Sequence, residues 1–240
     1  MMKTWAITDT GLVRKENQDT YRISESNRVC VVCDGMGGAA GGCVASNLAA
    51  ETYLSELEKV LKEDMTPEQL REASAYAVAM ANHAVEKRAE ADAELSNMGT
   101  TLVSAISYSD GVVISNVGDS RAYLLTRENV TQITRDHSIV QEMLESGEIT
   151  EEQARNHPRK NIITRALGVD DTVVVDYFEI PFEEHAKLLL CSDGFSGSLT
   201  PERIYHFSRG LTAERITQRA IELAKEAGGN DNITVITISR

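Results

Sequence analysis

A chain of 240 residues is long enough to bury a sizeable core, as one large domain or two small ones. With 42% hydrophobic and 25% charged residues and no low-complexity tract, its composition is that of a globular protein rather than a disordered or fibrous one. A net charge of −13 argues against a nucleic-acid polyanion as partner, which would need a basic face, and favours attraction for cations.

The opening Met1-Met2-Lys3-Thr4-Trp5-Ala6 lacks the apolar centre of a secretory signal, and no apolar run approaches a membrane span. A cytoplasmic protein without membrane attachment is therefore expected. Cys30 and Cys33 have CxxC spacing, yet they sit inside a Val-rich run and lack the second pair or histidines that zinc requires. They are expected to be buried thiols, as is usual in a reducing compartment.

Thr4–Thr8 and Tyr21–Ser24 read as strands bracketing a polar loop that holds Arg14 and ends at Asp19. The apolar run Val29-Cys30-Val31-Val32-Cys33 reads as a buried strand. Asp34-Gly35-Met36-Gly37-Gly38 follows it, where glycines let the backbone turn and approach a neighbour closely. A helix is predicted from about Gly41 to Leu61, with Ala50, Leu54, Leu57 and Leu61 as its buried stripe. Thr66-Pro67-Glu68-Gln69 signals the start of a second helix running towards Ala93.

From Thr101 the pattern turns to short β-type runs, Thr101–Tyr108, Val112–Val117, Arg121–Thr126 and Val130–Ile133, punctuated as an antiparallel meander. Ser138 with Gln141 and Thr150 with Gln153 open two short helices in a polar insertion from Asp136 to about Thr164, too irregular for core. Strands at Val173–Phe178 and Ala186–Cys191 precede helices after Thr200-Pro201 and Thr212, and Ile233–Ile238 closes the chain. Strands and helices come in runs rather than strict alternation, which favours antiparallel sheets covered by helices, an α+β fold, in one domain over residues 1–240.

Asp34, Asp119, Asp193 and Asp231 each lie at or just beyond the end of a β-type run, beside Gly, Ser or Asn, and Asp19 is a fifth candidate. Singly each reads as a turn residue. Gathered at one sheet edge they would repel unless cations sat between them, and oxygen-only ligands select Mg²⁺, Mn²⁺ or Ca²⁺. Two such ions about 3.5–4 Å apart can share a water and drop its pKa from about 15.7 towards about 7. Arg14 is placed to hold the anionic oxygens of a substrate, since its planar fork matches phosphate.

Together these motifs resemble a known family. Thr8-Asp9-x-Gly11-x-x-Arg14-x-x-Asn17-Gln18-Asp19, Asp34-Gly35-Met36-Gly37-Gly38, Gly99-Thr100-Thr101 and Val117-Gly118-Asp119-Ser120-Arg121 resemble signatures of the metal-dependent (type 2C) serine/threonine protein phosphatases. So do Asp136-His137-Ser138, Ser192-Asp193-Gly194 and Gly229-Asn230-Asp231-Asn232, all in the family's order and of bacterial form. The resemblance implies a four-layer αββα sandwich, two antiparallel sheets flanked by helices. It implies hydrolysis of phosphoserine and phosphothreonine on proteins by direct attack of a metal-bridging hydroxide, with Mn²⁺ or Mg²⁺ as cofactor.

In that scheme Asp34 bridges two tightly bound ions, the Gly35 carbonyl ligates one, Asp193 and Asp231 complete the other, and Asp19 acts largely through water. Asp119 with Asp193 matches a weaker third-ion position. Arg14, Asp34 and Asp193 would carry the catalysis, with Arg14 clamping phosphate. The segment from Asp136 to Thr164 resembles a flap beside the site. Expected partners are phosphorylated proteins and a cognate serine/threonine kinase, for a signalling enzyme acting as a monomer.

The chain departs from the pattern where many relatives place a histidine, here Met36 and Ala39, so the group that protonates the leaving oxygen is open. That departure motivates the alternative of a catalytically weak, metal-binding module that senses phosphoproteins. A two-metal nuclease would use the same cations, but the charge and the lack of a Lys/Arg stripe oppose it.

Overall fold

The structure is a computed structural model and describes residues 2–240, with the side chains of Ala39 and Ala40 left out; Met1, the start of the expected non-signal segment, lies outside the described residues. Two antiparallel sheets form the frame. The first has the order β1 (Lys3–Asp9), β11 (Ile233–Ser239), β10 (Lys187–Cys191), β7 (Arg121–Leu125), β8 (Val130–Gln132). The second has the order β2 (Asp19–Ile23), β3 (Val29–Met36), β5 (Leu102–Ser107), β6 (Gly111–Val117), β9 (Asp176–Pro181), with the short β4 (Gly99–Thr100) on β3.

Side-chain alternation along the strands builds the layers. Val29, Val31 and Cys33 of β3 point to one apolar cluster and Cys30 and Val32 to another. The second cluster lies between the sheets, where Cys30, Val32, Val103 and Ile114 meet Leu188, Leu190, Ile236 and Ile238. Residues facing both ways from one strand are why Val29–Cys33 reads as an unbroken apolar run. The outer face of the second sheet is covered by α1 (Gly38–Val60) and α2 (Pro67–Glu90), through Ala50, Tyr53, Leu57, Ala77 and Val78. The outer face of the first is covered by α6 (Pro201–Ser208) and α7 (Ala213–Glu226), whose Ile204, Ile216 and Ala220 pack on Leu189, Cys191 and Val235. Helix, sheet, sheet and helix thus stack in the expected order.

Local signals placed several elements. Thr66 and Gln69 form the capping box of α2, and Thr150 and Gln153 that of α4 (Glu151–Arg155). Ser138 caps α3 (Ile139–Glu145). Of the anticipated stripe on α1, Ala50 and Leu57 are buried, while Leu54 and Leu61 are partly so.

Other expectations need correction. The meander does not stay in one sheet: β5 and β6 pair in the second, whereas β7 and β8 pair in the first. The turn Gly118-Asp119-Ser120 therefore crosses the sandwich, with Gly118 at φ +100°, where a side chain would be strained and would meet Thr101. The strand expected at Val173–Phe178 is displaced to Asp176–Pro181, because Val173 and Val175 pack against the helix-side cluster instead of pairing. The segment from Asp136 is not uniformly peripheral, since Asp136, His137 and Ser138 are buried. Cys30 and Cys33 face opposite sides of β3, so they cannot act as a pair. All four cysteines are free, and burial pushes the Cys30 thiol up to about 12.

Candidate metal centre and cleft

Sheet order explains how distant acids meet. In the first sheet β11, β10 and β7 are consecutive neighbours. Asp231 stands just before β11, Asp193 just after β10 and Asp119 just before β7, and antiparallel pairing brings these three ends to one edge. The second sheet adds two more from β2 and β3, whose register sets Asp19 opposite Asp34. Here Asp34 and Gly35 lie within β3, which runs on to Met36, rather than in the turn after it.

Each acid is held differently. Asp19 is 5% exposed, and its Oδ2 accepts hydrogen bonds from Ser192 Oγ at 2.6 Å and Thr234 Oγ1 at 2.8 Å. Its Oδ1 is buried without a hydrogen-bond partner. Burial pushes its carboxyl up to about 7 against those two donors, with the charges of Asp193 and Asp231 adding to the rise. The half-buried Asp34 is raised well above the carboxylate range by burial and by Asp19, Asp193, Asp119 and Asp231. Asp119 is pushed up to about 8 by burial and then by Asp193 and Asp136. Asp193, which opens the one-turn helix α5 (Asp193–Ser196), is raised by burial and Asp231 and lowered by its hydrogen bond with Asp34.

Four buried carboxyls held above the ordinary carboxylate range, with Asp231 beside them, form a site with excess negative charge. The donors are all oxygens and one of them, Asp19 Oδ1, is an orphan, so the set suits hard divalent cations. The cage is not closed: among the described residues no three His, Cys, Asp or Glu side chains already converge as a metal cluster. Asp231 instead gives Oδ2 to Arg14, whose guanidinium lies 2.7 Å away.

Glycine makes room for this geometry. A Cβ on Gly35 would lie 1.9 Å from the Gly42 carbonyl oxygen, so the end of β3 and the first turn of α1 touch backbone to backbone. The loop carrying Arg14 is fastened from the opposite end of the chain. Asn232 Nδ2 donates to the carbonyls of Thr10 and Glu16, and its Oδ1 accepts from the Gln18 amide. The result is a cleft of about 490 Å³ bordered by Arg14, Asp34, Gly35, Asp193, Asp231 and Asn161. Asp19 and Asp119 are absent from its lining.

His137 is not positioned as a free acid. Its Nδ1 accepts from the Gly118 amide at 3.0 Å and its Nε2 faces Asp176 Oδ2 at 3.1 Å. The acceptor role of Nδ1 fixes the neutral tautomer with hydrogen on Nε2. Burial lowers its pKa in the same sense. Next to it, Arg121 grips Asp136 with Nε at 2.8 Å from Oδ1 and Nη2 at 2.6 Å from Oδ2.

Sequence reasoning selected the five aspartates, Gly35 and Arg14, and the structure brings them to one edge. It assigned no individual role to Asn232, Ser192 or Thr234, and placed Asn161 only within the flap segment. Asn232 and Ser192 adjoin Asp231 and Asp193, the single local signal available for them.

Oxygen donors from both sheets at one edge of an αββα sandwich define a candidate centre for divalent cations. A model of the Protein phosphatase 2C family matches residues 13–228, and the chain belongs to that family. The serine/threonine phosphatase stp of Listeria innocua is 42% identical over 97% of this chain and 94% of that one. The crystal structure of the serine/threonine phosphatase Stp1 from Staphylococcus aureus superposes with a TM-score of 0.93 at 34% identity, covering 100% of this chain and 95% of the other. The catalytic domain of the serine/threonine protein phosphatase PstP, solved in complex with two manganese ions, gives 0.85 at 33% identity, covering 99% and 97%.

Proposed function

We propose that this chain hydrolyses phosphoserine and phosphothreonine on proteins, using two divalent cations, Mn²⁺ or Mg²⁺, held at the acidic edge. Family membership gives the reaction class, and the observation that carries the reading at residue level is the mutual elevation of Asp19, Asp34, Asp119 and Asp193 at the edge of the cleft. Asp34 and the Gly35 carbonyl would ligate from the second sheet, and Asp193 and Asp231 from the first. Asp19 would act through its unpaired Oδ1, and Asp119 with Asp193 would form a weaker third position. When bound, the cations supply an acidified water as nucleophile and polarise the phosphoryl group.

The chain's own side chains do the rest. Arg14 binds the phosphoryl oxygens with its fork, in competition with Asp231, its carboxylate partner in the cleft. Asn232 holds the Arg14 loop at the correct height by its two carbonyl contacts. Asn161, from the 136–164 segment, borders the cleft, which supports reading that segment as a flap on a single domain of residues 1–240. His137, with both ring nitrogens engaged, is excluded as the donor to the leaving oxygen, which leaves that proton to solvent in the cleft.

The same reading gives a cytoplasmic monomer opposing a serine/threonine kinase. No helix of the described residues is long and apolar enough to cross a membrane. The test is p-nitrophenyl phosphate turnover with Mn²⁺. EDTA or Asp34→Ala should abolish it, and turnover surviving either would rule the reading out. Phosphopeptide binding without turnover under several divalent metals would favour a sensing module instead.

A further inference from the structure

A second pocket, of about 310 Å³, lies at the other end of the first sheet. It is framed by the register pair Leu125 and Lys187, where β7 ends and β10 begins. The acidic edge follows the opposite end of the same two strands, about 13 Å of β-strand away at ~3.3 Å per residue. The two pockets have opposite electrostatics. The cleft is lined by Asp34, Asp193, Asp231 and Glu16. The second pocket is lined by Arg127, His185, Lys187 and Arg209 and by no acid, in a chain with 37 acidic and 24 basic residues.

Neither His185 nor the cationic Arg127, Lys187 and Arg209 makes an ion pair among the described residues. The two arginines are nonetheless tied to a common support. The hydroxyl of Tyr205 donates to the Arg127 carbonyl at 3.3 Å, and the Arg209 guanidinium carbon lies 5.4 Å from the centre of the Tyr205 ring. Stacking of this kind restrains a guanidinium without consuming its donors. Beneath them the buried Leu125, Ser208 and Ile216 give a dry floor.

We infer that this pocket is an oxyanion site that takes a phosphate dianion, with the guanidinium of Arg209, stacked on Tyr205, and that of Arg127, whose backbone carbonyl the Tyr205 hydroxyl holds, as its donors and Lys187 as its point charge. Two arginines and a lysine converging on one pocket match a dianion better than a single carboxylate. The volume sits near the lower bound of roughly 300–1,000 Å³ for small-ligand sites, which suits a single phosphoryl group rather than a nucleotide. The source is either free inorganic phosphate or a phosphorylated side chain on a protein that also visits the cleft. The inference does not depend on the reading of the cleft.

The experiment is a titration of the ¹⁵N-labelled, metal-free full chain, followed by amide shifts at constant ionic strength in chloride. Inorganic phosphate is one arm and a phosphoserine peptide the other. Saturable shifts at Lys187, Arg209 and Gly210, separate from those at Gly35–Gly38, are expected. The charge-reversal variant Arg127→Glu/Arg209→Glu should weaken that response at least about tenfold, the loss of one charged hydrogen bond. It should leave p-nitrophenyl phosphate turnover with Mn²⁺ unchanged, since neither residue is in the cleft, and this also certifies its fold. Saturation by phosphate and peptide alike identifies phosphorylated side chains as a source, and saturation by phosphate alone identifies the free ion. Absence of a saturable response at these amides in both arms, or an unaltered response in the variant, overturns the inference.

Discussion

Replacing Asp19 by Asn should stabilise the metal-free protein while impairing its metal binding. The exchange keeps the shape: an amide oxygen at the Oδ2 position still accepts from Ser192 Oγ and Thr234 Oγ1, while the charge is gone. Burial and the neighbouring acids hold the native carboxyl at about 7, against an ordinary value of 3.8. The folded state therefore binds this proton more tightly than the unfolded chain does, so stability is full below the unfolded pKa and falls as pH rises towards 7. Above that, keeping Asp19 ionised costs up to about 4 kcal/mol, and since the adjacent acids share the shift, a gain of about 2–4 kcal/mol is expected in Asp19→Asn at pH 8.

For a chain of this size that gain raises the midpoint by about 4–8 °C. At pH 4 the gain should shrink below about 1 kcal/mol, because native Asp19 is then already protonated. Thermal melts followed by circular dichroism in EDTA at both pH values read this directly. Adding Mn²⁺ should then raise the wild-type midpoint more than that of the variant. A variant no more stable than wild type at pH 8, or equally stabilised at both pH values, would refute the electrostatic argument.

Gly35→Ala should cost about 1–3 kcal/mol in urea unfolding, because the new Cβ would press on the Gly42 carbonyl. Turnover should fall with it as the Gly35 carbonyl is displaced; wild-type values of both would contradict the close approach. His137→Ala should cost about 1–3 kcal/mol by leaving the Gly118 amide without its acceptor. Burial lowers the His137 pKa, so its contribution is present above the unfolded value of about 6.5 and is lost as pH falls through it. The stability difference between wild type and variant should accordingly narrow from pH 7 to pH 5 in denaturant titrations, and a constant difference would argue against it. Asp119→Ala should depress turnover while leaving the two tight Mn²⁺ ions bound, and loss of both by calorimetry would contradict that division.

The sequence made the layers legible because their signals are local. The apolar run at Val29–Cys33, the capping box at Thr66 and the stripe of α1 each depend on near neighbours. The path of the chain between sheets was not. Gly118-Asp119-Ser120 reads like the hairpin turn Ser109-Asp110-Gly111, and only the pairing of β7 with β10, more than sixty residues on, sends it across the sandwich. The same holds at the site. An acid near a strand end is visible in a sequence, whereas the register that sets Asp19 against Asp34 is not. Asn232 was silent for a similar reason, since its partners Thr10, Glu16 and Gln18 lie at the far end of the chain.

Calorimetric titration of the metal-stripped chain with Mn²⁺ tests the shared carboxylate cage most directly. Two tight ions per chain are expected for the wild type and neither for Asp34→Ala, the residue proposed as a ligand to both. Two tight ions retained by that variant, or none bound by the wild type, would contradict the account.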